Sequence, residues 1–323
     1  MTEKDLYGLT ALAGRLDLAT EASSLLRGDR DVELPGIREE KTTKNQVVIH
    51  RVEVFNEEGS RLLQKAMGNY LTFELPDMEN EEIIADIAEA VSGELKTMLP
   101  DLQDKLLLVV GLGNREAVPD ALGPRTVEHT YPTRILFQAK EPPTDLAAVC
   151  TVTPGVMAAS GLESAQIIQG MCRQFQPAAV IIVDSLASAS VTRVGRTIQM
   201  SDSGINPGRG VGNPRAGIDA ALCGCPVIAL GIPTVVDTAA IINETIGTLR
   251  SFWQEKGVAV PLLDDESCEY SERKLLEMFH GRLLVTPQDI DDLIRRDAML
   301  LAATIAMAVH PGANRNNFHD FIQ

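Results

Sequence analysis

Residues 106–124 have the sequence LLLVVGLGNREAVPDALGP, in which an apolar run is followed at once by glycines and a proline. The continuous run of leucine and valine predicts a strand buried on both faces of a parallel sheet. Gly111 and Gly113 end this strand, and Asp120 follows in the turn toward a predicted helix. Open α/β folds place ligand-binding and catalytic groups just beyond the carboxyl ends of such strands. Asp120 is therefore either a catalytic carboxylate or a helix N-cap.

A second apolar run lies further along the chain. Residues 178–183 have the sequence AAVIIV, and Asp184 follows directly. The carboxyl ends of parallel strands meet at one edge of a sheet, so this repetition predicts that Asp120 and Asp184 lie together there. A third run at 226–230 is followed by Asp237, which we expect to cap a helix.

Strand and helix patterns alternate along the chain. Alternating apolar and polar residues predict strands over 46–54 and 69–75, and apolar residues at helical spacing predict an amphipathic helix over 79–98. Further expected elements are short helices over 57–67 and 125–131, strands over 134–138, 147–152 and 197–201, a helix over 161–174 capped by Ser160, a helix from 237 to 253, a helical segment over 271–280, and a C-terminal helix from a cap at Thr286 to Val309. This order predicts an α/β class with a mainly parallel central sheet flanked by helices.

The composition excludes several classes of function. The net charge of −16, from 29 Lys and Arg against 45 Asp and Glu, argues against a nucleic-acid-binding surface, which needs clustered cations. No apolar run reaches the length of a membrane span, and the N-terminus lacks a signal-peptide pattern. Five cysteines without framework spacing suit reduced thiols. We therefore expect a cytoplasmic protein with neither a membrane nor a direct nucleic-acid partner.

The sequence favours paired carboxylates over other catalytic sets. It has no Gly-x-Ser-x-Gly elbow, and none of its five histidines follows an apolar strand run, which disfavours Ser/His and Cys/His catalysis. His-Glu-x-x-His is absent, so metal ligands would have to come from scattered carboxylates; metal catalysis remains the minor alternative. Two aspartates held close cannot both ionise cheaply, so one keeps its proton while the other acts as a base toward water. Asp120 and Asp184 are the candidate pair, with no metal and no cofactor.

Six ordered motifs carry a resemblance to a known family. They are Gly111-Leu-Gly-Asn114, Pro119-Asp-Ala-Leu-Gly-Pro124, Thr153-Pro-Gly-Val-Met157, Asp184-Ser-Leu-Ala-Ser188, Gly210-Val-Gly-Asn213 and Gly231-Ile-Pro-Thr-Val-Val-Asp237. Together they resemble the germination proteases of spore-forming bacteria, which are atypical aspartic endopeptidases. The opening pattern alone also resembles hydrogenase-maturation endopeptidases, whose phosphorylase/hydrolase-like fold is expected here.

The resemblance implies a zymogen that removes its own N-terminal propeptide. Cleavage sites in the family have an acidic residue, then a hydrophobic residue, then Ala, and Asp17-Leu18-Ala19 fits this pattern. We place the cut between Asp17 and Leu18, so that residues 1–17 are propeptide and residues 18–323 are a single α/β protease domain.

The resemblance also implies a substrate, an assembly and a location. The substrates are the small acid-soluble spore proteins, whose degradation the enzyme initiates during germination. Asp120 and Asp184 match the family's proposed catalytic aspartates. A homotetramer, a place in the cytoplasm of the forespore and the spore core, and activation as the spore acidifies are further expectations.

Substrate contacts are indicated only by charge and loop composition. An acidic residue before the scissile bond needs a nearby cation, and four arginines near the motifs are either substrate ligands or ordinary surface charges. They are Arg125, Arg193, Arg209 and Arg215. The Gly/Pro/Asn-rich segment 203–215 is a candidate flap.

Two other functions stay open on the sequence. One is a metal-linked maturation endopeptidase that trims a partner protein. Loss of activity to a chelator, with recovery on adding a single metal, would favour it. The other is an α/β binding module that only shields spore proteins, which the repeated strand-end aspartates argue against.

Overall fold

One mixed sheet organises the described part of the chain. The computed structural model describes residues 10, 13–14, 16–28, 32–139, 141–207, 216–257, 270, 274 and 283–323. The strands are β1 (Ile37–Lys44), β2 (Val47–Val54), β3 (Gly68–Glu74), β4 (Leu106–Gly111), β5 (Ala148–Val152), β6 (Ala179–Ser188), β7 (Thr197–Ser201), β8 (Val227–Asp237) and β9 (Leu284–Val285). The helices are α1 (Ala19–Arg27), α2 (Glu57–Leu63), α3 (Glu81–Met98), α4 (Leu122–His129), α5 (Met157–Ser160), α6 (Ser164–Phe175), α7 (Ala220–Cys223), α8 (Thr238–Glu255) and α9 (Ile290–Val309).

The strand order is β1-β2-β3-β7-β8-β6-β4-β5, with β9 paired to β8. The strands β5, β4, β6 and β8 are parallel, whereas β1, β2, β3, β7 and β9 join antiparallel. The α/β class with a central sheet flanked by helices is confirmed. The sheet is mixed, because the polar hairpins of the N-terminal part extend the parallel centre.

Strand β4 is buried on both faces, as its continuous apolar run predicts. Leu107 and Val109 pack with helices α3 and α9 on one side. Leu108 and Val110 pack with α6 and α7 on the other. All four side chains are fully buried or nearly so, and each contributes on the order of 2 kcal/mol by leaving water. This double-sided core fixes the strand ends that carry the site.

The N-terminal helix α1 packs on the antiparallel half of the sheet. Ala19, Ala22 and Leu26 lie in a separate core cluster with Val52 of β2 and Leu63 of α2. The chain immediately after residue 17 is thus anchored to the domain by apolar burial.

Strand β1 lies outside the sequence-based expectations. It is an edge strand in which Ile37 alone is buried among its eight residues. Its remaining residues are exposed and rich in charge, so it lacks the apolar alternation on which strand recognition depends.

Some local expectations are wrong. Residues 134–138 form a 3₁₀ helix instead of a strand. The Thr133 hydroxyl accepts from Val149 N of β5 and donates to the carbonyl oxygen of Ala147, just before β5, where a pairing strand would have to bond. Helix α6 is capped at Glu163, not Ser160, because Gln166 Oε1 accepts from Glu163 N at 3.1 Å. Helix α9 begins after Asp289, and the Thr286 hydroxyl instead donates to Thr234 O. The segments 208–215 and 275–282 lie outside the described residues.

Candidate active site

The site opens where strand β4 ends and its neighbour continues. The last paired residue of β4 is Gly111, which lies opposite Val183 of β6. The expectation that Asp184 ends its strand is wrong, because β6 runs on to Ser188 paired with β8. Asp184 is instead the first residue of β6 beyond the end of β4, so it still borders the opening at the sheet edge.

Two glycines allow the chain to turn tightly at this edge. A Cβ on Gly123 would lie 2.2 Å from Leu112 O and 2.5 Å from Val183 O, and a Cβ on Gly111 would lie 2.2 Å from Gly123 O. Such distances are far inside van der Waals contact, so only glycine allows helix α4 to begin against the ends of β4 and β6.

Asp120 closes the loop that follows β4. It ends a 3₁₀ turn over Val118–Asp120, and its Oδ2 and its carbonyl oxygen both accept from Asn114 N, at 2.8 and 3.0 Å. Helix α4 is flanked by Ala121 at its N-cap position with no side-chain cap bond. The capping alternative for Asp120 is therefore wrong, and its carboxylate belongs to the loop and the cavity.

Asp184 is a nearly buried carboxylate, 8% exposed. Its Oδ1 accepts from the backbone N–H of Ser185 at 2.9 Å. Because it lies within a strand, it caps no helix. A carboxylate removed from bulk water in this way has the environment that acid–base groups in active sites commonly have.

One cavity of about 410 Å³ joins the predicted residues. Asp120, Asp184 and Asp17 all line it, beside the motif residues Gly113 and Gly155. The expectation that Asp120 and Asp184 share one edge of the sheet is therefore confirmed by their place in this cavity. Asp17, which was singled out on a different ground, lies in the same cavity.

Asp17 is held by three donors, one on its side chain and two on its backbone carbonyl oxygen. Ala187 N donates to Asp17 Oδ2 at 2.8 Å. The carbonyl oxygen of Asp17 accepts from Lys65 Nζ at 2.8 Å and from Gln199 Nε2 at 2.9 Å. Leu18, the next residue, is fully buried. The contacts of Asp17 and the burial of Leu18 thus fix the peptide bond between them, next to a residue that lines the cavity.

Helix α1 is tied to β6 by a buried acid. Glu21 Oε1 accepts from the Ser188 hydroxyl at 2.8 Å, and Glu21 Oε2 accepts from Ala189 N at 3.0 Å. Burial raises the pKa of Glu21 above its usual value, against the opposing effects of these hydrogen bonds and of Arg193. Polar contacts thus reinforce the apolar packing of α1.

The two candidate substrate arginines that the structure describes lie in different parts of the fold. Arg193 forms ion pairs with Glu21 at 3.5 Å and Glu74 at 3.4 Å, next to the helix that follows Asp17. Arg125 pairs with Glu128 at 3.1 Å on helix α4. Neither side chain lines the cavity of the two aspartates. Arg209 and Arg215 lie outside the described residues, as does most of the candidate flap.

Lys65 and Gln199 are the contacts that the sequence-based reasoning missed. Lys65 follows a short surface helix, and Gln199 lies in a strand recognised only by its apolar neighbours. Their shared partner, the backbone of Asp17, is 48 residues from Lys65 and 182 from Gln199. No local pattern could have indicated either contact.

The cysteines fit the expectation of reduced thiols where they are described. Cys150, Cys172, Cys223 and Cys225 are free, and Cys268 lies outside the described residues. Burial raises the pKa of the Cys172 thiol, which lowers its reactivity at neutral pH. Within the described ranges, no group of three or more His, Cys, Asp or Glu side chains is arranged to hold a metal ion, and no helix is long and apolar enough to cross a membrane.

Comparison with known proteins finds a matching family and several similar proteins. The germination protease family profile matches residues 15–257. The germination protease of Clostridium tetani is 34% identical over 325 residues, covering 95% of this chain and 99% of that protein. The germination protease of Caldanaerobacter subterraneus is 34% identical over 328 residues, covering 97% and 99%. Among solved structures, a nickel–iron hydrogenase maturation protease from Thermococcus kodakarensis matches 66% of this chain and 98% of its own, with 15% identity and a TM-score of 0.31.

Proposed function

The chain belongs to the germination protease family, and from this premise we propose that it is an aspartate-dependent zymogen endopeptidase. It cuts its own chain between Asp17 and Leu18 and then initiates the degradation of small acid-soluble spore proteins. It acts in the cytoplasm of the forespore and the spore core, and it assembles as a homotetramer.

The observation that carries the proposal is that Asp120, Asp184 and Asp17 line one cavity. The residue before the proposed scissile bond therefore faces the same cavity as both candidate catalytic carboxylates. These three residues are predicted on separate grounds, namely two apolar strand runs and the cleavage pattern of the resembled family. Their convergence supports a self-cutting protease more directly than a binding module.

The two aspartates divide the work of peptide hydrolysis. The ionised carboxylate takes a proton from a water molecule, whose oxygen attacks the carbonyl carbon of residue 17. The protonated carboxyl gives its proton to the nitrogen of residue 18 as the C–N bond breaks. Each cycle consumes one water and leaves a new carboxyl and a new amine. The shared proton is a property of the coupled pair and is not assigned to Asp120 or Asp184 alone.

Acid activation follows from the same pair. Two carboxylates that share one cavity repel each other when both are ionised, and one proton relieves this repulsion. The singly protonated pair is the active form, and its population rises as the pH falls toward mildly acidic values. Acidification of the forming spore would thus start the self-cut.

Preference for an acidic residue before the scissile bond has a structural counterpart. The Asp17 carboxylate accepts from Ala187 N, and an N–H donor favours an ionised acceptor over a neutral one. An external substrate would place its own acidic residue on the same amide after the propeptide leaves. Arg125, Arg193, Arg209 and Arg215 stay predicted as additional cationic contacts.

Digestion of a purified small acid-soluble spore protein tests the proposal. The full chain is first allowed to process itself in mildly acidic buffer, and the fragments of the spore protein are then sequenced from their N-termini. We expect new N-termini that begin with a hydrophobic residue preceded by Asp or Glu, at rates unchanged by a chelator. Activity lost to a chelator and restored by one metal would instead support the metal-linked maturation endopeptidase. An intact spore protein beside a fully processed enzyme would remove the substrate assignment.

A further inference from the structure

The oxygen of the proposed scissile carbonyl has two side-chain donors. Lys65 Nζ lies 2.8 Å and Gln199 Nε2 lies 2.9 Å from Asp17 O. Hydrolysis of the Asp17–Leu18 bond would place negative charge on this oxygen. Donors at 2.7–3.1 Å from a developing oxyanion are a large source of rate enhancement in acyl-transfer enzymes.

We propose that Lys65 and Gln199 are catalytic groups that stabilise the carbonyl oxygen of the scissile bond as it becomes negatively charged. This role deepens the proposed function and rests on the cut between Asp17 and Leu18. The two aspartates would manage protons on one side of the carbonyl, while the ammonium and the amide hold its oxygen.

Lys65 is held in place by its own surroundings. It follows helix α2, which ends with Gln64 in the left-handed region at φ 53°, and the Ser60 hydroxyl donates to Lys65 O at 2.6 Å. Its ammonium lies 5.8 Å from the centre of the Tyr70 ring, within the range of a cation–π contact. A charge fixed in this way does not need to reorganise when the oxyanion forms.

Gln199 spans the scissile bond with both atoms of its amide. Its Nε2 donates to Asp17 O, and its Oε1 accepts from Ala19 N at 2.6 Å. A single orientation of the Gln199 amide makes both bonds. Asp17 and Ala19 are thereby held on either side of Leu18, as a neighbouring strand would hold them. Leu18 lies between these two contacts and is fully buried, which prevents the bond from rotating away.

Lys65 and Gln199 take no part in the proton transfers of the chemical step. Attack by the water oxygen forms a C–O bond and moves the carbonyl π electrons onto the oxygen held by Lys65 and Gln199. Collapse of this tetrahedral species restores the C=O bond and breaks the C–N bond, and Leu18 N takes the proton from the aspartate pair. Both donors keep their protons throughout, so their contribution is electrostatic.

A simpler role must be separated from this one. Lys65 Nζ also donates to Leu16 O at 3.0 Å, so it could serve solely to tether the propeptide. A tether is needed for docking of the segment, whereas an oxyanion donor is needed for the bond-breaking step. Hydrogen exchange of the Ala19 and Ala187 amides reports whether the segment is docked, because Ala19 N bonds to Gln199 and Ala187 N bonds to Asp17.

The test compares cutting and docking in the same full-length chains. The first-order rate of loss of the propeptide is measured by intact mass in mildly acidic buffer. Hydrogen exchange of the Ala19 and Ala187 amides is measured in the uncut proteins at neutral pH. The variants are Lys65→Met, which keeps the length of the apolar stem, Lys65→Arg, which keeps the charge, and Gln199→Glu, which keeps the acceptor for Ala19 N. Lys96→Met, at an exposed lysine of α3, is the matched control.

We expect Lys65→Met to cut about 100-fold more slowly than wild type, with both amides still protected. Lys65→Arg should recover part of the rate, Gln199→Glu should lose at least about tenfold, and Lys96→Met should match wild type. An unchanged rate in Lys65→Met and Gln199→Glu would overturn the proposal. If the cutting rate fell only by the factor by which exchange protection of the two amides fell, the proposal would also be overturned. Lys65 and Gln199 would then serve only to tether the propeptide. Failure of wild type and Lys96→Met to cut would instead remove the proposed function itself.

Discussion

The backbone N–H of Ala187 donates to Asp17 Oδ2 across 170 residues of sequence. Ala187 follows the irregularity in the pairing of β6 with β8, three residues beyond the buried Asp184. A single strand thus carries both a candidate catalytic carboxylate and the donor that holds the residue before the proposed cut. Under the proposed cut after Asp17, this arrangement would link cleavage-site choice to the geometry of the sheet edge.

Removing the charge of Asp17 should slow the self-cut. Asp17→Asn keeps the size of the side chain but replaces an ionised acceptor by a neutral one, and a hydrogen bond to a charged group contributes about 1.5–3 kcal/mol. We expect propeptide loss to be about 10- to 100-fold slower, measured by intact mass over time. Asp101→Asn, at an exposed loop aspartate, is the control. Equal rates in all three proteins would show that the Ala187 contact does not select the acidic residue.

The turn glycine of α4 should be intolerant of a methyl group. A Cβ on Gly123 would meet Leu112 O and Val183 O, so Gly123→Ala has to displace the ends of β4 and β6. We expect a loss of more than about 2 kcal/mol of unfolding free energy, measured by urea denaturation, together with a loss of self-cutting.

Helix α6 offers a matched control for this substitution. Gly170 lies within α6, and a Cβ there would meet nothing within 4 Å. Gly170→Ala should therefore raise stability by about 0.5–1 kcal/mol through helix propensity. Similar effects of the two substitutions would contradict the close packing assigned to Gly123.

His310 should make the stability of the fold decline in acid, between pH 6.5 and 4. Burial lowers the pKa of His310 from 6.5 to about 4, and its Nδ1 accepts from Ala147 N. The unfolded chain therefore binds a proton at a higher pH than the folded chain. This stability is present above pH 6.5 and is lost as the pH falls to 4, by about 3 kcal/mol in total.

The variant His310→Asn isolates this contribution. Asparagine keeps an acceptor for Ala147 N and does not titrate. Urea denaturation at several pH values should show a steeper decline between pH 6.5 and 4 in wild type than in the variant. Parallel pH profiles would show that the histidine titrates normally in the folded chain.

The sequence predicts the parts of the fold that depend on local pattern. The apolar runs of β4, β6 and β8 predict buried parallel strands because both faces of each are covered. The sequence predicts the place of Asp184 at the sheet edge correctly, but Asp184 does not end its strand, because β6 extends beyond β4. How far each strand continues depends on its neighbours, which no local run of residues encodes.

Some residues of the candidate site can likewise be predicted from the sequence, whereas others cannot. Asp120 and Asp184 are predicted from the apolar strand runs that precede them, and Asp17 from a cleavage pattern. Lys65 and Gln199 could not be predicted, since they bind a backbone oxygen that any residue at position 17 would offer. Side-chain contacts to backbone leave no signature in residue type, so they emerge only once the chain is folded.

Intact-mass spectrometry of the full-length protein tests the central claim, that Asp120 and Asp184 together catalyse the cut after Asp17. Wild type, Asp120→Asn, Asp184→Asn and the Asp101→Asn control are held side by side in mildly acidic buffer. We expect wild type and the control to lose residues 1–17, and both site variants to slow by about 100-fold or more, the range for loss of an acid–base group. Cutting at the wild-type rate in either site variant would contradict the claim and place the catalyst elsewhere in the chain.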